Sequence, residues 1–463
     1  MPEKTYPNVD LIELGDLEDT YLGEDRPECT APTIENPWER GESELFTPIE
    51  PKTFEELGVS PTFLEHLVLK QLMTMPGLSG RDIANALCVN PSLVLPLLAG
   101  LKRRMLVIHA VAELSGADFH FDLSEAGRKY AREIRALNPY VGPVPVPFAA
   151  YQESVFMQSL SRELIGPQDL ERAFSDLVVD SQLLSLLGPA MASGRGVFLF
   201  GNSGNGKTSL AMRMCKAYLH RVYIPHAIVV EGQVIQLFDP QVHKKIRTTS
   251  ADADPLKHRK DGRWVFCERP TVIAGGELTL DSLELQEDSE TGVCEAPLQL
   301  KANCGLLVID DFGRQQVEPE AFLNRWILPL ENRVDFLRLP SGRKIQVPFD
   351  PFLVFSTNLD PAELVDEAFL RRIPYKVEVP DPTPAIFRKV LAAEAESMGF
   401  EPDEGGFNDL VRTVFKKPGR EMRYCHPRDL LLQIRNRCRY LNQPLVISRE
   451  GIDSAAKGYF TLL

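Results

Sequence analysis

Residues 201–208 read Gly-Asn-Ser-Gly-Asn-Gly-Lys-Thr, a glycine, four residues, then Gly-Lys-Thr. This is the spacing of a loop that wraps a phosphate chain. The glycines let successive backbone N–H groups turn inward where a Cβ would obstruct. Lys207 is placed to neutralise β- and γ-phosphates, and the Thr208 hydroxyl to ligate a divalent cation such as Mg²⁺. The candidate nucleotide-binding set is therefore Gly201, Asn202, Ser203, Gly204, Asn205, Gly206, Lys207, Thr208 and Ser209. The apolar run at 197–200 predicts a buried strand leading into the loop. The residues after the loop predict a helix whose positive end faces the same anion.

A second apolar stretch, Gly-Leu-Leu-Val-Ile-Asp-Asp at 305–311, reads as a buried strand ending in two carboxylates, a Walker B element. Asp310 stands where an acid holds the metal's hydration shell, and Asp311 where a base orients the attacking water. Aspartate is one methylene shorter than the glutamate more usual at that second place, which allows slow turnover. A third run, Phe-Leu-Val-Phe at 352–355, leads through Ser356 and Thr357 to Asn358, a polar group for the water near the γ-phosphate.

The segment at 359–372 ends in Arg371 and Arg372 ahead of a predicted strand, and Cys425-His426-Pro427-Arg428 opens a C-terminal helix. Taken in order with the two Walker elements, these stretches make the region from about 150 to 463 resemble an AAA+ ATPase. Its details are similar to the MoxR branch: ANCGLLVIDDFGR at 302–314 resembles that branch's Walker B segment, with Gly313 in place of an asparagine. DEAFLRRIPYKVEV resembles its arginine-finger segment and HPRDLL its sensor 2 segment. The resemblance implies an α/β P-loop NTPase with an αβα AAA+ core, a C-terminal helical lid, ATP and Mg²⁺ as cofactors, and a homo-oligomer, usually a hexameric ring. It implies a sensor role for Asn358 and Arg428, and a finger, Arg372 with Arg371 in reserve, acting on a neighbouring subunit's nucleotide.

The rest of the chain must position these groups. Of 463 residues, 44% are hydrophobic and 25% charged, as in a soluble globular protein with a substantial core. No apolar run is long enough to span a bilayer, and the first ten residues predict no secretory leader. The eight cysteines show no C-x₂-C pair, so free thiols of a cytoplasmic protein are expected. Residues 1–60 hold sixteen Asp/Glu against four Lys/Arg, so most of the net charge of −14 sits there. An acidic, largely disordered tail is expected over 1–59, with Val9, Leu11, Ile12 and Phe46 as apolar groups that could dock on a partner or on the body.

From 60 to 137 the patterning predicts three helices, capped in part by Ser79 and Asn90, a two-stranded wing around 106–121, and a closing helix from Ser124. The order resembles a winged helix-turn-helix. The third helix opens Asn-Pro-Ser-Leu-Val-Leu-Pro, with few polar groups for base edges, which favours protein docking over DNA reading. Pro96 sits awkwardly inside it. Residues 138–149 read as a stiff Pro-rich linker, 150–380 as the nucleotide-binding core and 381–463 as the lid.

Between Lys207 and Asp310 lie about a hundred residues, more than a compact core requires. The excess predicts a hairpin over 223–238 turning at Glu231-Gly232, a strand over 264–273, and between them a basic loop of Lys244, Lys245, Arg247, Lys257, Arg259, Lys260 and Arg263. The basic loop and the stretch from Gly275-Gly276 through Thr291-Gly292, ahead of the second carboxylate strand, are candidate client-contacting elements, and His243, His258 and Trp264 admit nucleic-acid contact. A further hairpin is expected around Pro340-Ser341-Gly342.

The functional expectation is an oligomeric ATPase that remodels a protein client. Two alternatives stand beside it: a DNA-associated ATPase or transcriptional regulator, and a nucleotide-switched scaffold with little turnover.

Overall fold

The computed structural model describes residues 46–110, 119–247, 259–288, 291–364, 367–401 and 403–460. At its centre is a five-stranded parallel sheet in the order Thr271–Ala274, Leu306–Ile309, Phe352–Thr357, Gly196–Phe200, Tyr375–Glu378. Parallel strands need both faces covered, so they read as unbroken apolar runs. Leu306–Ile309 and Phe352–Thr357 are buried at every position. One face packs on Leu187, Met191, Leu210 and Met214. The other packs on an aromatic cluster in which Trp326, fully buried, meets Phe322, Phe349 and Phe355. The chain is thus an α/β protein with helices against a parallel sheet.

The long excursion before Asp310 builds a second packed layer. The hairpin forms as expected, Ala227–Val230 against Gln233–Gln236, with Glu231 and Gly232 both at positive φ. It belongs to a second five-stranded sheet with Gln286–Glu287, Cys294–Glu295 and Val146–Pro147. The expected strand over 264–273 is two strands. Trp264–Cys267 pairs antiparallel with Val222–Pro225, whereas Thr271–Ala274 crosses into the central sheet. Pro270 separates them and, lacking an N–H, cannot continue a ladder. The hairpin Val334–Arg338/Lys344–Pro348 turns at Pro340-Ser341-Gly342, and its Leu337, Ile345 and Val347 enter the core of this second layer.

Residues 60–137 fold as Pro61–Thr74, Gly80–Ala86, Pro91–Arg103 and Glu125–Leu137 with a small antiparallel sheet of Leu78–Ser79, His120–Leu123 and Val107–His109. Ser60, Ser79, Asn90 and Ser124 each accept a backbone N–H at a helix start. Pro96 lies inside its helix after all; it is exposed, while Leu93, Val94, Leu97, Leu98 and Leu101 hold the buried face.

Two boundaries move. Residues 46–59 are ordered: Phe46 packs edge-on to Trp264 at 5.2 Å, and Ile49 bridges to Lys260. Thr53 caps a short helix, Phe54–Leu57. Residues 1–45 of the tail expected over 1–59, with Val9, Leu11 and Ile12, lie outside the described residues. Residues 138–149 are not a free linker. Tyr140, Val144 and Val146 are buried, Val144 N–H donates to Leu87 O at 2.9 Å, and Val146 pairs with Ile228. X-Pro steps favour extended backbone, and here the second sheet captures it as an edge strand.

The basic loop also changes character. Arg263 is buried, bonded to Asp261 at 2.9 Å and to Leu57 O at 2.9 Å. His243 is buried, with Nδ1 accepting Asp239 N–H at 2.9 Å and Nε2 set 2.9 Å from Lys301 O. Burial foremost holds the His243 imidazole below its usual range, and both ring nitrogens are engaged by backbone groups of the core. Trp264 is buried as well. These three cannot meet nucleic acid; Lys257 and His258 lie outside the described residues.

Residues 384–460 carry helices Pro384–Met398, Glu404–Leu410, His426–Tyr440 and Arg449–Phe460 around their own core of Phe387, Leu391, Phe415, Leu430 and Leu431. Among the described residues, no helix is long and apolar enough to cross a membrane.

Candidate phosphate-binding site

Strand register builds the site. The loop leaves the C-terminal end of Gly196–Phe200, which pairs with Phe352–Thr357, and that strand pairs in turn with Leu306–Ile309. One strand therefore separates the loop from the carboxylates of Asp310 and Asp311, and its own end delivers Asn358 between them. The carboxyl ends of parallel strands are where α/β folds bind ligands.

Within the loop, Gly201, Gly204 and Gly206 have φ of 135°, 83° and 79°. A Cβ at Gly201 would lie 2.5 Å from Val379 O, so glycine is required there for space as well as for conformation. Helix Lys207–Met214 starts at Gly206. Lys207 is buried, and its Nζ donates to Gly201 O at 2.9 Å, Asn202 O at 3.1 Å and Asn358 Oδ1 at 2.5 Å. Burial lowers its pKa, against the opposing pull of Asp311 and Asp310. Thr208 Oγ1 donates to Asp310 Oδ2 at 2.8 Å. Asn358 Nδ2 donates to Asp311 Oδ1 at 3.2 Å, so one amide bridges the lysine and the second carboxylate.

Asp311 has φ of 48°, a left-handed conformation that Asp enters more readily than most residues. Gln315 braces the turn, with Nε2 donating to Asp310 O at 2.8 Å and Oε1 accepting Gly313 N–H at 2.8 Å. A glycine cradle, a buried lysine and a hydroxyl–carboxylate pair fit a nucleotide's phosphates and a Mg²⁺ ion that keeps several of its waters. Among the described residues no group of three His, Cys, Asp or Glu is arranged as a metal cage.

The structure thus brings together Lys207, Thr208, Asp310, Asp311 and Asn358. It places Arg371 and Arg372 elsewhere. Tyr375–Glu378 runs parallel to the loop strand with Tyr375 opposite Val197, so Arg371 and Arg372 lie beyond the N-terminal ends of the strands. A strand of this length puts them roughly 17 Å or more from the loop. There they line a groove of about 570 Å³ with Arg195, Arg333 and Glu331, and Arg372 pairs with Glu331 at 2.6 Å. Arg428 is exposed in the first turn of His426–Tyr440. Sequence reading missed Asp381, Arg423 and Cys425, which touch the loop from the C-terminal side. They carry no motif signal, because their partners are far away in the chain.

A family model described as a domain of unknown function (DUF8689) matches residues 383–458, the C-terminal helices. No curated protein matches the chain. Among solved structures, NtrX from Brucella abortus, crystallised in complex with ADP, is 16% identical over 58% of this chain and 53% of its own, with a TM-score of 0.34. The chain therefore spans about half the length of that protein. The Holliday junction branch migration motor RuvB from Thermotoga maritima is 12% identical over 65% of this chain and 72% of its own, with a TM-score of 0.33.

Proposed function

We propose that this protein is an ATP-binding and ATP-hydrolysing AAA+ ATPase, similar to the MoxR branch, that works as a cytoplasmic homo-oligomeric ring on a protein client. The observation that carries the proposal is the convergence of Lys207, Thr208, Asp310, Asp311 and Asn358 at the ends of three adjacent parallel strands.

Thr208 and Asp310 would hold Mg²⁺, which supplies charge neutralisation for the phosphate oxygens. Lys207, now occupied by two backbone carbonyls and Asn358, is positioned to exchange them for phosphate oxygens. Asp311 and Asn358 orient the water, and Arg428 reads the γ-phosphate from a lid formed by residues 381–463. The separation of Arg372 from its own loop supports a role on a neighbour's nucleotide, with Arg371 beside it. The region 60–137 is read as a winged helix-turn-helix used for protein docking. In support, the start of helix Pro91–Arg103 is already engaged, Asn90 Nδ2 donating to Glu50 Oε2 at 3.3 Å.

The test is steady-state ATP hydrolysis against protein concentration, with Lys207→Ala as the blank. The rate per subunit is expected to rise steeply with concentration, and Arg372→Ala is expected to bind nucleotide but not turn it over. Full turnover by Arg372→Ala would refute the trans assignment. A flat profile near the blank with tight ATP binding would replace the motor by a nucleotide-switched scaffold.

A further inference from the structure

The phosphate loop is gripped by residues that its motif does not specify. Asp381 lies between the edge strand Tyr375–Glu378 and helix Pro384–Met398. Its carboxylate accepts Asn205 Nδ2 at 2.8 Å and Asn202 Nδ2 at 3.3 Å, and it pairs with Arg423 Nη1. The other arm of Arg423 pairs with Glu421 at 2.6 Å. Two residues further on, Cys425 N–H donates to Gly204 O at 3.0 Å, and a Cβ on Gly204 would lie 2.5 Å from Cys425 Sγ. Asn202, Gly204 and Asn205 are thus all held from the C-terminal side.

The two halves of the grip are anchored on different hydrophobic cores. Asp381 travels with the central sheet, because Val379 N–H donates to Phe200 O at 2.8 Å and Asn205 Nδ2 donates to Val379 O at 3.1 Å. Arg423 travels with the C-terminal helices: its N–H donates to His426 Nδ1 at 3.1 Å, and His426 stacks on Phe415 in their core. The pair is partly buried, with 18% and 30% of the two side chains exposed, so solvent screens it only in part. Although burial alone would push Asp381 up, the bonds from Asn205, Arg423 and Asn202 hold its carboxyl below the usual range.

We infer that Asp381 and Arg423 form a latch that couples the C-terminal helical region to the shape of the phosphate loop, so that bound nucleotide leaves only when the latch opens. The inference rests on the nucleotide-binding reading above. Asp381 is a positioning residue that acts through the amides of Asn202 and Asn205. Opening the latch takes Arg423 off the carboxylate that holds those two side chains and moves Cys425 off Gly204, which lets the cradle relax.

The experiment is the release rate of a fluorescent ADP derivative from the full-length protein, chased with excess unlabelled ADP. Absence of binding by the wild type, or equal binding by Lys207→Ala, overturns the nucleotide reading itself. Given lysine-dependent binding, Asp381→Asn, which is isosteric but uncharged, and Arg423→Ala are each expected to speed release about tenfold. Because both cut one link, the double variant is expected to release no more than about threefold faster than the faster single. Acceleration below about threefold in Asp381→Asn, or multiplied effects in the double, overturns the latch. Unliganded thermal unfolding is followed alongside. If Arg423→Ala fails to fold, Asp381→Asn decides alone, with the same threshold.

Discussion

Arg263→Ala isolates what joins the N-terminal helices to the second sheet layer. The Arg263 and Asp261 side chains are 5% and 2% exposed, with Nε 3.1 and 3.0 Å from the two carboxylate oxygens and Nη2 2.9 Å from Oδ2. The remaining arm donates to Leu57 O at 2.9 Å, beside the fully buried Leu57. Truncation strips Asp261 of its counter-charge and leaves Leu57 O without its donor. Removing one partner of a buried pair costs about 3–5 kcal/mol, mostly from the stranded charge. At a urea slope of about 3 kcal/mol per M, the midpoint of the transition that includes residues 46–137 falls by roughly 1–1.7 M. The assay is urea unfolding followed by tryptophan fluorescence, since Trp264 adjoins the pair in sequence, with hydrogen exchange on Pro61–Thr74 alongside. Asp261→Ala/Arg263→Ala removes both charges and is expected to lose less than Arg263→Ala alone. A midpoint shift under about 0.3 M for Arg263→Ala, or a double variant that is the less stable one, would refute the reasoning.

Asn358→Ala removes the bridge between Lys207 and Asp311 but leaves the lysine two backbone acceptors. ATP turnover is expected to fall about 10²-fold while ADP affinity changes only a few-fold, so a proportional loss of both would contradict the water-orienting role. Burial, opposed by Arg333, Ser159 and Arg269, pushes the Asp350 carboxyl up to about 6. A raised acid contributes stability that is present below its unfolded value and lost as pH rises through the folded one. Between pH 4 and pH 6.5 Asp350 is thus expected to cost the wild type up to roughly 3 kcal/mol. Asp350→Asn should flatten that part of the profile, measured as denaturant midpoints against pH, and an unchanged slope would count against the assignment.

Glycine, lysine, threonine, aspartate and asparagine at the site were legible because each sits at a fixed offset from an apolar strand, and strand plus offset is a local code. The helix starts at Ser79, Asn90 and Ser124 were legible for the same reason, since a cap acts on backbone N–H groups two or three residues away. The status of Arg263 was not legible. In sequence it is one more cation in a basic loop, and only a carbonyl 206 residues away makes it a buried keystone. Residues 138–149 have a linker's composition, yet the same prolines that forbid a helix suit an edge strand once a sheet lies alongside.

The sequence by itself determined which side chains stand on the glycine-rich loop and at the ends of the two carboxylate- and amide-bearing strands, together with the alternation of strands and helices that supports them. Tertiary structure alone decided which strand lies between loop and carboxylates, that Arg371 and Arg372 stand at the far end of the sheet, and that Asp381 and Arg423 meet across 42 residues to hold the loop. The physical reason is range. Backbone propensity and motif spacing act within a few residues, whereas an ion pair, a sheet order or a buried charge is set by which distant segments packing brings together.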